Sequence, residues 1–480
     1  MIEKRDFYIN GSWVAPAAKN DLAVIDPSTE EHCATISLGG AADADAAVAA
    51  ARAAFDTWAY DTAPADRRAL VEKLYAIYER RAEDMARAIS LEMGSPIDHA
   101  REQQVPCFTW HAKNFLRAFD SFEFERPLGP HAPADRILLD PVGVVAMITP
   151  WNWPMNQVTL KAVPAMLTGC TMVLKPSEIA PLSSLLFAEM VHEAGFPAGV
   201  FNLVNGDGPG VGTQLSGHRD VDMVSFTGST RAGIAISKNA ADSVKRVHLE
   251  LGGKGANIVF ADADEKAVRR GVLHCFNNTG QSCNAPTRML VERGIYDQAV
   301  EIARTTAEAT KVGSAHESGR HIGPVVSQMQ YDKIQGLIQK GIDEGARLVA
   351  GGPGRPEGFN RGYFVRPTVF ADVSNDMTIA REEIFGPVLS IIPFEGEAEA
   401  LAIANDTAYG LTNYVQSQDE ARRVRLARRL RSGMVEMNGK GRGAGSPFGG
   451  MKASGNGREG GHWGLDDFCE VKAVSGWATE

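Results

Sequence analysis

The chain of 480 residues is 44% hydrophobic and 22% charged, with 49 glycines and 24 prolines, a globular composition that excludes disordered, collagen-like and coiled-coil classes. Its length has room for two or three domains with sizeable cores. Lys plus Arg number 49 and Asp plus Glu 59, a formal net charge of −10, which argues against a general nucleic-acid or acidic-membrane binder, because those partners select a basic surface.

The N-terminal MIEKRDFYINGSW carries charges where a signal peptide needs an apolar stretch. No apolar run reaches the roughly 18 residues of a membrane span, so the expectation is a cytoplasmic protein with no membrane partner. Two Ala-rich helices are predicted at 43–58 and 64–93, the second ended by a Gly94 cap. From about residue 140 short apolar runs alternate with helical segments. GVVAMITP (143–150) and TMVLKPSE (171–178) read as buried strands, followed by a helix from Pro181 to the Gly195 cap. VFNLVNG (200–206), VDMVSFTG (221–228), a helix from Ser229 and RVHLELGG (246–253) continue the series. Such alternation predicts a parallel, doubly wound sheet. The pattern resumes at Ala256 with ANIVF, helices near 297–310 and 331–344, and the strand FVRPTVF (364–370). Two α/β domains meeting near residue 250 are therefore expected.

Polar residues at the strand ends are the candidates for chemistry. Asn152 of TPWNWP follows a strand, where its amide either donates to a developing oxyanion or fixes the turn. In KPSE (175–178) a lysine and a carboxylate stand three apart, a spacing able to grip a ribose or to close an ordinary turn. FTGSTRAG (226–233) places Gly228 at a turn and Ser229 at a helix start, either a plain strand–turn–helix junction or a start whose free amides attract a pyrophosphate. It is no P-loop, since Ile234 and Ala235 replace the required Lys and Ser/Thr. Glu250, between two leucines at a strand end, either pairs with a neighbour such as Lys254 or is kept with a raised pKa as a general base.

The cysteines at 33, 107, 170, 275, 283 and 469 form no C-x-x-C pair, so neither a disulfide framework nor a metal site is expected. Cys275 lies in VLHCF and reads as a core thiol. Cys283 lies in the polar loop NNTGQSCNAPTR, a setting that suits either a nucleophile or a structural free cysteine. ARRVRLARRLR (421–431) holds six arginines in eleven residues with Val424, Ala427 and Leu430 every third position, the pattern of an amphipathic helix with a solvated basic face. The G-x-G-x-x-G at Gly455, Gly457 and Gly460 and the near miss at Gly439, Gly441 and Ala444 lack a strand–helix setting and are set aside as dinucleotide fingerprints.

Taken together, TPWNWP, KPSE, FTGST, LELGGK, GQSC, EEIFGPV and PFGGMKASGNGREGG occur in an order and spacing that resemble the aldehyde dehydrogenase superfamily, from INGSW (9–13) to EVKAV (470–474). The resemblance implies an enzyme oxidising a small-molecule aldehyde to the acid with NAD. Cys283 matches the nucleophile, Asn152 and the Cys283 amide the oxyanion hole, and Glu250 the base that hydrolyses the thioester. Lys161 and Glu459 match a proton-relay pair. Lys175 and Glu178 match contacts to the adenosine ribose, Gly208 and Gly212 the adenine-side loop, and Phe226, Gly228 and Ser229 the pyrophosphate turn. Glu383 and Phe385 match nicotinamide contacts, with Pro150, Trp151 and Leu251 as further cofactor positions. Trp153 and Phe448 match the substrate pocket. A carboxylate at Glu178 repels a 2′-phosphate, which predicts NAD over NADP.

The implied fold is α/β, with two doubly wound Rossmann-like domains and a small β oligomerisation arm. Residues 1–120 and 140–249 would form the dinucleotide-binding domain and 250–430 the catalytic domain. Segments 121–139 and 460–480 would form the arm, and 431–459 a substrate-tunnel loop returning to the cofactor domain. A homodimer or homotetramer is expected. The sequence departs from the family pattern at GMVEMN, with Glu436, and at GKGRGAGS. Two readings stand: a polar tunnel in which Lys440 or Arg442 meets a polar or anionic substrate, or an exposed loop. A CoA-acylating semialdehyde dehydrogenase, in which the thioester passes to CoA, is opposed by Glu250. A silent family member or a cysteine hydrolase would form no reduced nicotinamide.

Overall fold

The computed structural model describes residues 1–477; positions 478–480, the end of the expected C-terminal arm, lie outside the described residues. Two large sheets dominate. The first has eight strands in the order Gly455–Asn456, Arg246–Glu250, Met223–Thr227, Val144–Ile148, Thr171–Lys175, Phe201–Leu203, Phe7–Ile9, Ser12–Val14. From Arg246–Glu250 to Phe201–Leu203 neighbouring strands run parallel. Their sequences, RVHLE aside, are apolar runs with every residue buried, as befits strands covered by helices on both faces. The register sets Thr227 beside Glu250, Phe226 beside Ile148 and Ile148 beside Lys175, so the carboxyl ends of four strands share one edge. In open α/β sheets that edge is where ligands bind.

The second sheet has seven strands in the order Arg347–Ala350, Thr368–Ala371, Val388–Phe394, Arg288–Glu292, Ala256–Val259, Thr412–Gln416, Met434–Met437, with only Arg347–Ala350 antiparallel to its neighbour. The short segment 251–255 joins the two sheets. Two three-stranded sheets complete the described chain. One combines Ile2–Lys4, Glu31–Ser37 and Asp21–Asp26; the other combines Cys469–Val474, Ala132–Pro141 and Glu125–Gly129, an antiparallel flap.

Several elements differ from the sequence expectation for identifiable reasons. The helix predicted at 64–93 is two helices, Pro64–Arg80 and Ala82–Met93, separated at Arg81 (φ −103°, ψ 19°), while Gly94 does cap the second with φ +79°. The strand predicted at 364–370 is only Thr368–Ala371, since Pro367 has no amide to donate to a ladder. Segment 431–459, expected as a tunnel loop, contributes Met434–Met437 to the second sheet and Gly455–Asn456 to the edge of the first. In Glu420–Arg429 the inward side carries Leu426 and, just beyond, Leu430, whereas Val424 is 41% exposed. Arg422 takes the remaining inward space and stacks over Phe260 at 4.4 Å. Among the described residues no helix is long and apolar enough to cross a membrane, and no cluster of three His, Cys, Asp or Glu residues suits a metal ion.

Arg288 braces the joint between the sheets. Fully buried, its guanidinium donates to the carbonyl of Lys254 (3.0 Å), to Asn375 Oδ1 (2.8 Å) and to the carbonyls of Ile403 and Ala404 (both 3.1 Å). Arg288→Met keeps the bulk but leaves those acceptors unpaired, an expected loss of about 2–4 kcal/mol. A fall of several degrees in the thermal unfolding midpoint checks this; an unchanged midpoint would remove Arg288 from that role.

Candidate active site

The loop carrying Cys283 is wound against its preference. After the helix Ala267–Phe276, Asn278 (φ +52°), Thr279 (φ +57°) and Gly280 (φ +71°) all take left-handed conformations, a cost of order 1–3 kcal/mol for each residue with a side chain. Hydrogen bonds hold them there. Asn278 Nδ2 donates to the Asn152 carbonyl (2.9 Å) and its Oδ1 accepts from Gln104 (3.1 Å), while Thr279 Oγ1 donates to the Gly323 carbonyl (3.1 Å). Gly280 also lacks room for a side chain, because a Cβ would stand 2.1 Å from the Gly386 carbonyl oxygen. Gln281 is locked by its Oε1 accepting from the Val326 amide at 2.9 Å, and Ser282 Oγ accepts from Trp153 Nε1 at 2.8 Å.

Cys283 emerges half-buried at the end of this loop. Burial pushes its thiol up to about 12, with the carboxylates of Glu383 and Glu250 adding to the shift. At rest it is a protonated thiol. Cys275 is fully buried in a core with Phe276, Met289 and Leu389.

Asn152 stands in the turn between Val144–Ile148 and the helix Pro154–Thr168, which opens on a proline at its first position. Its carbonyl accepts from Gln104 and Asn278, and its Nδ2 donates to the Gln281 carbonyl at 3.0 Å. An amide nitrogen has two protons, so one remains available.

Glu250 closes its strand 2% exposed, and neither carboxylate oxygen has a hydrogen-bond partner. Burial raises its carboxyl to about 7. No ion pair joins it to Lys254, the partner that local sequence offered. Lys254 is itself buried without a partner for Nζ, and burial followed by the nearby Arg288 lowers it to about 7. Behind Glu250, Lys161 Nζ donates to Glu459 Oε1 at 2.7 Å, both groups buried, while Glu459 Oε2 has no partner.

One cavity of about 210 Å³ brings Asn152, Glu250 and Cys283 together. Pro150, Trp151, Gly228, Ser229 and Leu251 form one side, with Glu383 and Phe385 across from them. Phe385 adopts φ +62° and meets Trp151 edge-on at 5.5 Å. Glu383 Oε1 accepts from the Gly253 amide at 2.8 Å. Ser229 caps the helix Thr230–Ala240, its side chain accepting from the Ala232 amide. Further along the sheet edge, Lys175 Nζ donates to the Gly206 carbonyl (2.6 Å), the Pro176 carbonyl (2.9 Å) and Glu178 Oε2 (3.2 Å). Gly208 and Gly212 bound a tight helical turn in which Asp207 accepts from the Gly210 amide. Phe226 is buried, and a Cβ on Gly228 would meet its ring at 2.4 Å. Lys161 and Glu459 do not line the cavity. Phe448, paired through its backbone with Glu459, lies under Arg442, whose guanidinium stands 4.6 Å from the ring. Arg442 Nε is also 3.4 Å from Glu436 Oε1; Lys440 is exposed.

Five lining residues were not predicted as site residues from the sequence: Gln157, Thr227, Gly252, Gln330 and Lys333. Gln330 and Lys333 sit one turn apart at the start of Gln328–Asp343, donating to the carbonyls of Phe385 (2.9 Å) and Glu383 (2.8 Å). Their i, i+3 spacing reads as an ordinary solvated face. Gln157, on Pro154–Thr168, lines the cavity with its Oε1 unpartnered. A glutamine among buried positions was the available signal.

The sequence profile of the aldehyde dehydrogenase family matches residues 13–474. A curated relative, 3-succinoylsemialdehyde-pyridine dehydrogenase of a Pseudomonas species, is 49% identical over 479 residues, covering 99% of both chains. Among solved structures, an aldehyde dehydrogenase of Bartonella henselae superposes with a TM-score of 0.98 at 61% identity, covering 99% of this chain and 100% of that one. A mutant of aldehyde dehydrogenase C from Pseudomonas syringae, complexed with NAD+ and octanal, superposes with a TM-score of 0.97 at 47% identity, covering 99% and 97%.

With its thiol raised to about 12, Cys283 is a thiolate only in small fraction at neutral pH. Its alkylation by iodoacetamide, followed by peptide mass spectrometry without ligands, should rise about tenfold per pH unit from 7 to 9. A plateau below pH 8 would show a thiolate already formed at rest.

Proposed function

The chain belongs to the aldehyde dehydrogenase family, and from that premise we propose that it oxidises an aldehyde to the carboxylic acid with Cys283 as nucleophile, Asn152 as oxyanion donor and Glu250 as hydrolytic base. The observation that carries this reading is the shared cavity, into which Glu250 brings two unpartnered oxygens opposite Cys283. Once the thiol proton has passed to solvent, sulfur attack on the aldehyde carbonyl gives the thiohemiacetal alkoxide. The free Asn152 Nδ2 proton and the Cys283 amide receive the oxygen's developing charge, support worth about 3–4 kcal/mol per donor. Glu250, titrating near neutrality, then takes a proton from water as its oxygen attacks the thioester, and Cys283 is released.

NAD, when bound, supplies the acceptor for the hydride that leaves the thiohemiacetal carbon. The residues present fit it. The buried Thr227 Oγ1 has no partner beside the cavity, and the first amides of Thr230–Ala240 are suited to a pyrophosphate. Gly228, Ser229 and Phe226 would shape that turn, with Pro150, Trp151 and Leu251 lining the approach. Glu383 and Phe385, steadied by Lys333 and Gln330, would hold the nicotinamide end; Lys175, Glu178, Gly208 and Gly212 would hold the adenosine end. The NAD+ complex of the P. syringae relative supports the assignment. Glu178 supports NAD over NADP. Lys161 and Glu459 are assigned to proton traffic behind Glu250.

The domain division at 249/250 is proposed to separate cofactor binding from catalysis. The flap of Glu125–Gly129, Ala132–Pro141 and Cys469–Val474 is proposed to join subunits as a homodimer or homotetramer; light scattering at two or four times 51.6 kDa checks it. A cytoplasmic location fits the six free cysteines and is tested by cell fractionation. For the substrate, Trp153 and Phe448 would flank the aldehyde. Arg442, stacked on Phe448 and near Glu436, supports a polar or anionic tail.

The deciding experiment follows reduced nicotinamide by absorbance. Cys283→Ala should form none. Glu250→Gln should keep a first-turnover burst while steady turnover falls roughly 100-fold; a variant turning over at the normal rate would remove Glu250 as base. In the same assay, Glu178→Gln should narrow the preference for NAD over NADP by about tenfold, and Arg442→Ala should weaken carboxylated against neutral aldehydes by a similar ~10-fold factor. Equal use of both cofactors by the parent enzyme would defeat the first idea, and an unmoved aldehyde preference the second.

A further inference from the structure

The strand Arg246–Glu250 turns Arg246, His248 and Glu250 to one side, because alternate residues of a strand share a face. All three meet the C-terminal segment. Arg246 donates to the carbonyls of Asp467 (2.8 Å) and Cys469 (2.9 Å), fixing the end of the helix Gly461–Asp467. That places the Asp467 carboxylate on His248 Nδ1 in a hydrogen bond. The other ring nitrogen, Nε2, lies 3.4 Å from Glu250 Oε1, too poorly aligned for a hydrogen bond but close enough for charge attraction. Gly457 allows this packing, since a Cβ there would stand 2.7 Å from His248 Nδ1.

The charges around Glu250 leave His248 a particular task. From Pro154–Thr168 comes Lys161, engaged by Glu459 Oε1 at 2.7 Å. From the 448–459 segment come Glu459 itself, whose charge opposes that of Glu250, and Arg458, whose Nη1 is taken by the Gly450 and Gly457 carbonyls. Cys283 lines the same cavity as Glu250. Further down its own strand Arg246 is paired with Glu470 at 2.7 Å. His248 alone among these sits against Glu250 with its far side neutralised by a carboxylate. Burial opposes its protonation, yet Asp467 and Glu250 raise the imidazole to about 10.

We propose that His248, held as an imidazolium by Asp467, is the positioning residue that keeps a substantial fraction of Glu250 anionic at neutral pH, so that an Asp467–His248–Glu250 chain sets the base used for thioester hydrolysis. The inference rests on the reading of Glu250 as that base. His248 stays protonated throughout: water gives its proton to Glu250 and its oxygen to the acyl carbon, and the acyl–sulfur bond breaks.

The test titrates Glu250 directly. The carboxyl infrared band lost in Glu250→Gln is followed from pH 5 to 10 without cofactor, in the full-length protein, for the parent, His248→Asn and Asp467→Asn. The parent midpoint is expected at about 7. His248→Asn should move it up by roughly one unit or more, and Asp467→Asn the same way by less. In the aldehyde assay His248→Asn should keep its first-turnover burst, lose about fivefold or more in steady rate at pH 7 and largely recover by pH 9. An unmoved midpoint, or a loss equal at every pH, would reduce His248 to a packing role. If the parent oxidises no aldehyde, the functional reading fails while the infrared titration still decides the charge-setting role. Should His248→Asn fail to fold, Asp467→Asn, altered at a partly exposed side chain, decides it alone.

Discussion

The geometry of the site depends on one backbone contact. Segment 251–255 leaves the first sheet at Glu250 and enters the second at Ala256, and at Gly253 it passes against the carbonyl of Cys283 so closely that a Cβ would stand 2.3 Å from the oxygen. Glu250 ends a strand of the first sheet and Cys283 lies in the loop that leads into a strand of the second, so this contact ties the two groups together. The segment is held along its length: the Leu251 amide donates to the Ser454 carbonyl (3.0 Å), the Gly253 amide to Glu383 (2.8 Å) and the Ala256 amide to Asn413 Oδ1 (2.9 Å). Geometry held this firmly is what lets a reaction proceed without a search for alignment.

Burial then does opposite things to the two principal groups. It raises the Cys283 thiol to about 12, which delays the nucleophile, and raises Glu250 to about 7, which brings a carboxylate into the range of a useful base. Both shifts have the same leading cause, burial of the group beside a cavity lined by Trp151 and Phe385. The site thus holds its thiol in reserve and its base poised.

Much of this was legible in the sequence because the parallel strands are apolar runs and the chemistry sits where those runs end. VVAMI, TMVLK and MVSFT announce themselves, and Asn152, Lys175 and Gly228 follow at their ends. What stayed hidden has a common cause. Gln330 and Lys333 donate to the carbonyls of Phe385 and Glu383, 55 and 50 residues away, and Q-x-x-K on a helix carries no mark of that. His248 and Asp467 are separated by 219 positions. The Glu250–Lys254 pair suggested by local spacing fails because the glycines between them turn the lysine into the second core. The Val424 stripe fails because an arginine, by stacking on Phe260, can occupy an inward position.

The segment after Met434–Met437 shows how a departure from a family pattern is absorbed. Glu436 is half-buried, and burial raises its carboxyl, while Arg442 offsets part of the shift. Arg442 in turn rests on Phe448, so that charge is held against the aromatic wall of the substrate side. Its field also reaches Cys283, where it lowers the thiol against the sum of the surrounding carboxylates. Movement of Arg442 away from Glu436 would change the field at sulfur. On the proposed reading, recognition of the aldehyde's far end and the acidity of Cys283 would share one guanidinium, which would favour substrates able to hydrogen-bond to it over those that merely fill the space.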